Sequence, residues 1–175
     1  MTMPDPHVLF DEKAIAARVR ELGKEITETC RAEQPLTVIP IMNGSIFFAS
    51  DLIRAINLPM HIDIFAASSY EEDHSTGSLN IRAELKLEIK DRYVLVIDDI
   101  LDTGFTLMKT VEHFLALGAA GVRTCVLLDK VLPEGKQKMF AADWSGFRIP
   151  AKFVVGYGLD YDEDYRTLPY IGYFE

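Results

Sequence analysis

The segment VLVIDDILDTGFTL, from Val94 to Leu107, constrains the fold of this chain more than any other stretch. It opens within a continuous apolar run, residues 93–97, which suits a strand buried on both faces of a parallel sheet. The run ends in Asp98 and Asp99. The polar turn DDILDTG then leads into TLMKTVEHFLALG, a helix with Leu107, Val111 and Phe114 facing inward and Gly118 as its stop. A buried strand, a polar turn and a helix N-terminus in that order put the polar groups at the carboxyl end of the sheet, where open α/β folds bind ligands. Thr103 and Thr106 supply hydroxyls, Gly104 lets the backbone approach closely, and the first-turn N–H groups suit a phosphate. Asp98 and Asp99 would repel a phosphate, but as acceptors they suit the vicinal hydroxyls of a ribose and can help hold Mg²⁺. The string reads as a ribose 5-phosphate cradle. For any short piece of it, the competing reading is a solvated turn with a helix cap at Asp102 or Thr103.

The rest of the chain supplies the layers around that strand. Ile15, Val19, Leu22 and Ile26 recur at helical spacing between Asp11 and about Cys30. LTVIPIM (36–42) predicts a strand, Asn43-Gly44-Ser45 a tight turn, and SIFFASDLIRAI a helix with Ile46, Ala49, Ile53 and Ile56 on one face. MHIDIFAA (60–67) predicts another strand. SSYEEDHSTGSLN is polar and aperiodic, so a long surface loop with the length of a lid is expected there. AELKLEIK alternates strictly, which predicts a half-exposed strand, and RTCVLLDK and FVVGYGLD (153–160) predict two more strands. Strands alternating with helices indicate a single α/β domain over residues 1–175, with a mainly parallel sheet covered by helices on both faces.

Composition removes several function classes. With 49% hydrophobic residues among 175, the chain can offset its ordering entropy and fold as a domain of ordinary size. Lys plus Arg number 18 against 27 Asp plus Glu, and the net charge of −9 comes with no basic run, which disfavours nucleic acid and anionic lipid as partners. No apolar stretch has the length of a membrane span and no export signal is visible at the start, so a cytoplasmic protein is expected. Cys30 and Cys125 fit no metal or redox spacing and read as reduced packing residues. His7, His61, His74 and His113 fit no ligand spacing either, and His113 is placed on a helix surface. There is no G-x-x-x-x-G-K-[ST] and no H-E-x-x-H, and Gly156 with Gly158 lacks the third glycine of a dinucleotide fingerprint.

The 94–107 string resembles the phosphoribosyl pyrophosphate (PRPP) motif of type I phosphoribosyltransferases. SSY and STG in the polar loop, LLDK at 127–130 and FVVGYGLDYDEDYRTLPYIG at 153–172 are similar to the purine-salvage branch, the hypoxanthine-guanine phosphoribosyltransferases. The resemblance spans roughly residues 36 to 173 and rests on several motifs in family order. It implies the type I fold with a mobile active-site loop and a small hood. It also implies transfer of the phosphoribosyl group of PRPP to N9 of a 6-oxopurine, with Mg²⁺ as cofactor and a homo-oligomer, dimer or tetramer, as the assembly.

Carried over residue by residue, Asp102 matches the family's aspartate near purine N7, where a carboxylate can accept a proton. Asp98 and Asp99 match the acidic pair facing the ribose hydroxyls, and Thr103, Gly104, Phe105 and Thr106 match the 5′-phosphate loop. Asn43, Gly44 and Arg166 fall on the pyrophosphate side, and Ser69 and Tyr70 on the closing loop. Lys130 matches the donor to the purine 6-oxo group, Phe153 the ring that stacks on the base, and Val154 the residue whose backbone meets its edge. Asp160 lies on the purine side and also matches the Mg²⁺ ligand, assisted by Asp98 and Asp99. Three positions depart from the family's pattern. Asn43 replaces a frequent lysine or arginine, Asp98 shortens a usual glutamate, and Phe105 stands where a polar residue is common. The alternatives are a relative preferring xanthine and a PRPP-sensing regulator of the same fold. The regulator would need a basic face for RNA or DNA, and none is recognisable here.

Overall fold

The computed structural model describes residues 5–69 and 79–174. The chain runs β1 (His7–Phe10), α1 (Glu12–Thr29), β2 (Leu36–Pro40), α2 (Ile46–Ala55), β3 (Met60–Ile62), β4 (Ala66–Ser69), β5 (Leu79–Ala83), β6 (Tyr93–Leu101), α3 (Phe105–Ala116), β7 (Gly121–Lys130), β8 (Trp144–Ile149), β9 (Val154–Val155) and β10 (Ile171–Tyr173). Five parallel strands form the main sheet in the order β3-β2-β6-β7-β8. This puts β6, the most apolar run, at the centre.

Both faces of that sheet are covered, which explains why its strands read as continuous rather than alternating apolar runs. Leu36 and Val38 of β2, Leu95 and Ile97 of β6, and Cys125 and Leu127 of β7 pack on one side with Ile15, Val19, Leu22 and Ile26 of α1 and Phe48 and Leu52 of α2. Ile39, Val94, Val96 and Val126 point the other way, toward Leu107 and Phe114 of α3. The expected face of α1 is the buried one, and each such side chain contributes about 1.5–3 kcal/mol on leaving water. Asp11 starts the helix by accepting a hydrogen bond from Ala14 N at 2.8 Å. Cys30 and Cys125 are free and buried, and burial pushes the Cys30 thiol up to about 12.

Several expectations are corrected. The faces of two helices are offset: α2 buries Phe48, Ala49 and Leu52 while Ile46 is exposed, and α3 buries Thr110 rather than Val111. His113 is half-buried, stacked 5.8 Å from the ring of Phe65. The strand expected over 60–67 breaks at Asp63, whose carboxylate accepts from Ile64 N at 2.9 Å, Lys86 N at 2.6 Å and Leu87 N at 2.8 Å. These bonds also bend AELKLEIK out of any ladder. No strand forms there beyond Ala83, and Leu87 is exposed. The polar loop is framed by an antiparallel pair, β4 with β5, and Tyr70 lies outside the described residues.

FVVGYGLD also departs from its expected place in the main sheet. Only Val154 and Val155 are extended, and they join β10 and β1 in a separate three-stranded antiparallel sheet, the small hood. Gly156, Tyr157 and Gly158 follow with φ of 96°, 50° and 107°, which no strand accommodates. The Tyr157 hydroxyl donates to Asp51 Oδ2 at 2.6 Å and so ties the hood to α2.

Candidate active site

β6 runs farther than its apolar core, and the extra residues, Asp98 to Leu101, carry the acid pair to the carboxyl edge of the sheet. Asp98 is only 9% exposed. Burial, reinforced by the neighbouring Asp99 charge, holds the Asp98 carboxyl well above the ordinary carboxylate range. Burial raises Asp99 too, and the charge of Arg166 is near enough to oppose part of that rise. Asp98 Oδ1 accepts from Asp99 N at 3.0 Å, and Asp99 Oδ1 from Ile100 N at 2.7 Å. Among the described residues no cation stands within ion-pair distance of either carboxylate. Two desolvated carboxyl groups side by side at a cavity wall suit ligand hydroxyls or a hard cation.

The turn after β2 closes against this pair. A Cβ built on Gly44 would lie 1.7 Å from Asp99 Oδ2, so any side chain there would displace the Asp99 carboxylate. The buried Ser45 hydroxyl donates to Ile41 O at 2.5 Å, and Ile46 N donates to Asn43 O at 3.1 Å, which fixes the turn while leaving the Asn43 side chain exposed. The Met42–Asn43 peptide is cis.

On the other side, Gly104 caps α3 with φ of 85° and no capping side chain, and Gly104, Phe105 and Thr106 of this helix start line the cavity. Thr103 Oγ1 accepts from Phe105 N at 3.4 Å, the far limit of such a bond. Gly44, Asp98, Asp99, Asp102, Thr103 and Thr106 all line one cavity of about 570 Å³. Phe105 lines it as well.

The remaining candidates arrive from the neighbouring strand and the hood. Lys130, the last residue of β7, places Nζ 3.1 Å from Asp102 Oδ2. Phe153 is 56% exposed, with its ring edge-on to Tyr161 at 5.6 Å, while Val154 is buried. Asp160 and Arg166 pair with each other at 2.9 Å, and Arg166 also donates to Gly158 O at 2.8 Å and pairs with Glu163 at 2.9 Å. A Cβ on Gly158 would meet Gly44 O at 2.0 Å, so the hood turn rests directly on the turn after β2. Lys130, Phe153, Val154, Asp160 and Arg166 do not line the 570 Å³ cavity. Ser69 ends β4, and Ala67 of that strand does line it.

Sequence reasoning missed Lys138, Met139 and Phe140. Lys138 Nζ donates to Leu101 O at 3.1 Å and pairs with Asp129, Met139 N donates to Thr103 O at 2.8 Å, and a Cβ on Gly104 would lie 2.9 Å from Phe140. Nothing in the aperiodic run 131–142 marks them.

Comparison with known proteins finds the family. The model of the phosphoribosyl transferase domain family matches residues 8–162. A hypoxanthine-guanine phosphoribosyltransferase of Bacillus subtilis is 41% identical, with 94% of this chain and 91% of that protein covered. The crystal structure of a hypoxanthine phosphoribosyltransferase from Staphylococcus aureus superimposes with a TM-score of 0.88 at 39% identity, covering 97% of this chain and 91% of that one. A Trypanosoma cruzi hypoxanthine phosphoribosyl transferase, described for the role of its C-terminal region in oligomeric state and enzymatic activity, superimposes with a TM-score of 0.89 at 33% identity, covering 100% and 95%.

Proposed function

Because this chain belongs to the phosphoribosyl transferase domain family and has the type I fold, we propose that it transfers the 5-phosphoribosyl group of PRPP to N9 of hypoxanthine or guanine, giving IMP or GMP and pyrophosphate in purine salvage. The observation that carries this reading is the 3.1 Å pair of Lys130 and Asp102 at the rim of a cavity that also holds the acid pair and an uncapped helix start. A 6-oxopurine presents an acceptor, O6, beside N7 on one edge. Lys130 donates to O6 while Asp102 accepts a proton at N7, which stabilises positive charge as N9 bonds to the ribosyl carbon and the bond to pyrophosphate breaks. The 5-phosphate sits on the 103–106 turn and the ribose hydroxyls face Asp98 and Asp99. Phe153 supplies the stacking face, and Val154 meets the base edge through its backbone. Ser69, at the end of β4, and Tyr70, outside the described residues, carry the closing-loop role that the family resemblance implies, which keeps water from the reacting centre.

Among the described residues no group of three His, Cys, Asp or Glu side chains could hold a metal ion. Mg²⁺ commonly takes one or two carboxylates and completes its shell with substrate oxygens, and the cavity-lining pair Asp98 and Asp99, which meets no cation among the described residues, fits that pattern. Asp160 would join them once Arg166 leaves it for pyrophosphate. The ion would supply charge neutralisation on the leaving group. Measuring pyrophosphate release from PRPP with hypoxanthine, guanine and xanthine in turn tests the reading and ranks the bases. Absence of release with all three would overturn it.

Asn43 leaves the pyrophosphate turn with backbone groups and a neutral side-chain amide, and no charge. Asn43→Lys is therefore expected to tighten PRPP binding roughly two- to tenfold, an effect that shrinks as salt rises because the position is exposed. PRPP titration at two salt concentrations checks this, and unchanged affinity removes position 43 from pyrophosphate binding.

The protein is further read as a cytoplasmic homo-oligomer, dimer or tetramer. No helix among the described residues is long and apolar enough to cross a membrane. Ile46, Phe47, Ile62 and Ile64 are exposed beside the carboxyl ends of β2 and β3, and apolar groups in such positions favour a second copy. Sedimentation at assay concentration is expected to show the oligomer, and a monomer alone would refute it.

A further inference from the structure

β6 and β7 end side by side: Leu101 is the register partner of Asp129 on the last rung of their ladder. The next residue on each strand is a proposed site residue, Asp102 on one and Lys130 on the other. The two ends are not left to the ladder alone. The chain returns from β7 and lays residues 138–140 across them. The Lys138 ammonium donates to the backbone carbonyl of Leu101 at 3.1 Å and pairs with the carboxylate of Asp129, so one group spans the rung. The following amide, Met139 N, donates to Thr103 O at 2.8 Å, and the next residue, Phe140, backs Gly104 so closely that no side chain could stand there. Four anchor points, 101, 103, 104 and 129, thus bracket Asp102 and Lys130, whose own contact is 3.1 Å.

We propose that residues 138–140 form a strap, with Lys138 as its positioning residue, that sets the spacing and aim of Asp102 and Lys130 toward the base. The inference rests on the reading of Asp102 and Lys130 as the base-contacting pair. Lys138 touches no substrate in this arrangement. Its ammonium satisfies a strand-end carbonyl and a carboxylate together, which requires a cation with several donors. Without it Leu101 O and Asp129 lose their common partner and the last ladder rung alone joins the two strand ends. A misplacement of about 1 Å in a positioned group costs up to roughly 10²-fold in rate even when the mutation is far from the chemistry. A strap acting through Lys130 should also blur the distinction between a 6-oxo and a 6-amino base, which a loss of general stability would not do.

The test compares Lys138→Met, Lys138→Arg and a control, Lys136→Met, which removes the same charge two residues away from an exposed side chain. For Lys138→Met we expect kcat/KM for hypoxanthine to fall roughly 10- to 100-fold and the hypoxanthine-to-adenine ratio to narrow by about tenfold. Lys138→Arg should recover to within a few-fold, and Lys136→Met should match the wild type. Amide exchange at Met139 supplies a readout independent of turnover, and it should quicken by about tenfold in Lys138→Met while amides in the middle of β6 stay protected. Unchanged exchange at Met139, or an unchanged base ratio in a folded Lys138→Met protein, overturns the strap. A wild-type protein inactive on every 6-oxopurine would instead remove the proposed function, and Met139 exchange would still decide the strap.

Discussion

Asp102→Asn is expected to lower kcat by about 10²-fold or more while PRPP binds with little change. Asparagine keeps the size and one acceptor oxygen of aspartate but has no charge and cannot take a proton. In the free protein Asp102 faces Lys130 at 3.1 Å and is about half exposed, so the substitution breaks an ion pair of small structural value and should leave the fold intact. Its effect then falls on the step in which N7 loses its proton and positive charge develops on the purine. The turn around Thr103 and Gly104, the proposed 5-phosphate site, is held by contacts to residues 139 and 140, none of which the amide disturbs. Single-turnover kinetics, with chemistry shown to be rate-limiting, provide the check. A variant within a few-fold of the wild-type rate would take Asp102 out of the proton-accepting role.

Adenine is expected to be disfavoured against hypoxanthine by roughly 10³-fold in kcat/KM. An ammonium only donates, so Lys130 matches the 6-oxo group and meets the 6-amino group of adenine donor to donor. The Lys130 side chain is about one-fifth exposed, and a bound base would cover it further, leaving a desolvated charge without an acceptor. Lys130→Gln should collapse the ratio to within about tenfold, because an amide can offer either its N–H or its oxygen. Parallel assays with the two bases decide, and comparable turnover of adenine and hypoxanthine by the wild type would defeat this role for Lys130.

How far these residues could be read in advance depends on the range of the interactions that place them. The face of α1, Ile15, Val19, Leu22 and Ile26, follows from a 3.6-residue period written along the chain, and the buried strands at 36–40, 93–97 and 123–130 follow from burial on both faces of a parallel sheet. The strand–turn–helix at 93–116 was legible for the same reason: its three parts are consecutive, so the polar groups of the turn share one edge whatever surrounds them. AELKLEIK carried an equally clear period of two and still formed no strand, because the Asp63 carboxylate, more than twenty residues upstream, takes the N–H groups of Lys86 and Leu87 that a ladder would have used.

β8 went unread because WSGFRI shows neither strong alternation nor a buried run. It is an edge strand held by β7. FVVGYGLD looked like a core strand because it opens on an apolar run, but Val154 and Val155 are buried in the hood sheet, Phe153 is exposed, and three positive φ values turn the chain back toward Gly44. The sequence by itself determined the two-sided α/β layers and the polar carboxyl edge with its helix start, which rest on patterns a few residues long. Only the tertiary structure decided that Gly44 lies against Asp99, that Lys130 meets Asp102, and that Lys138 clamps Leu101 to Asp129. Each of those contacts joins positions far apart along the chain, and it is sheet register and the return path of the loops, not local periodicity, that bring such positions within hydrogen-bond reach.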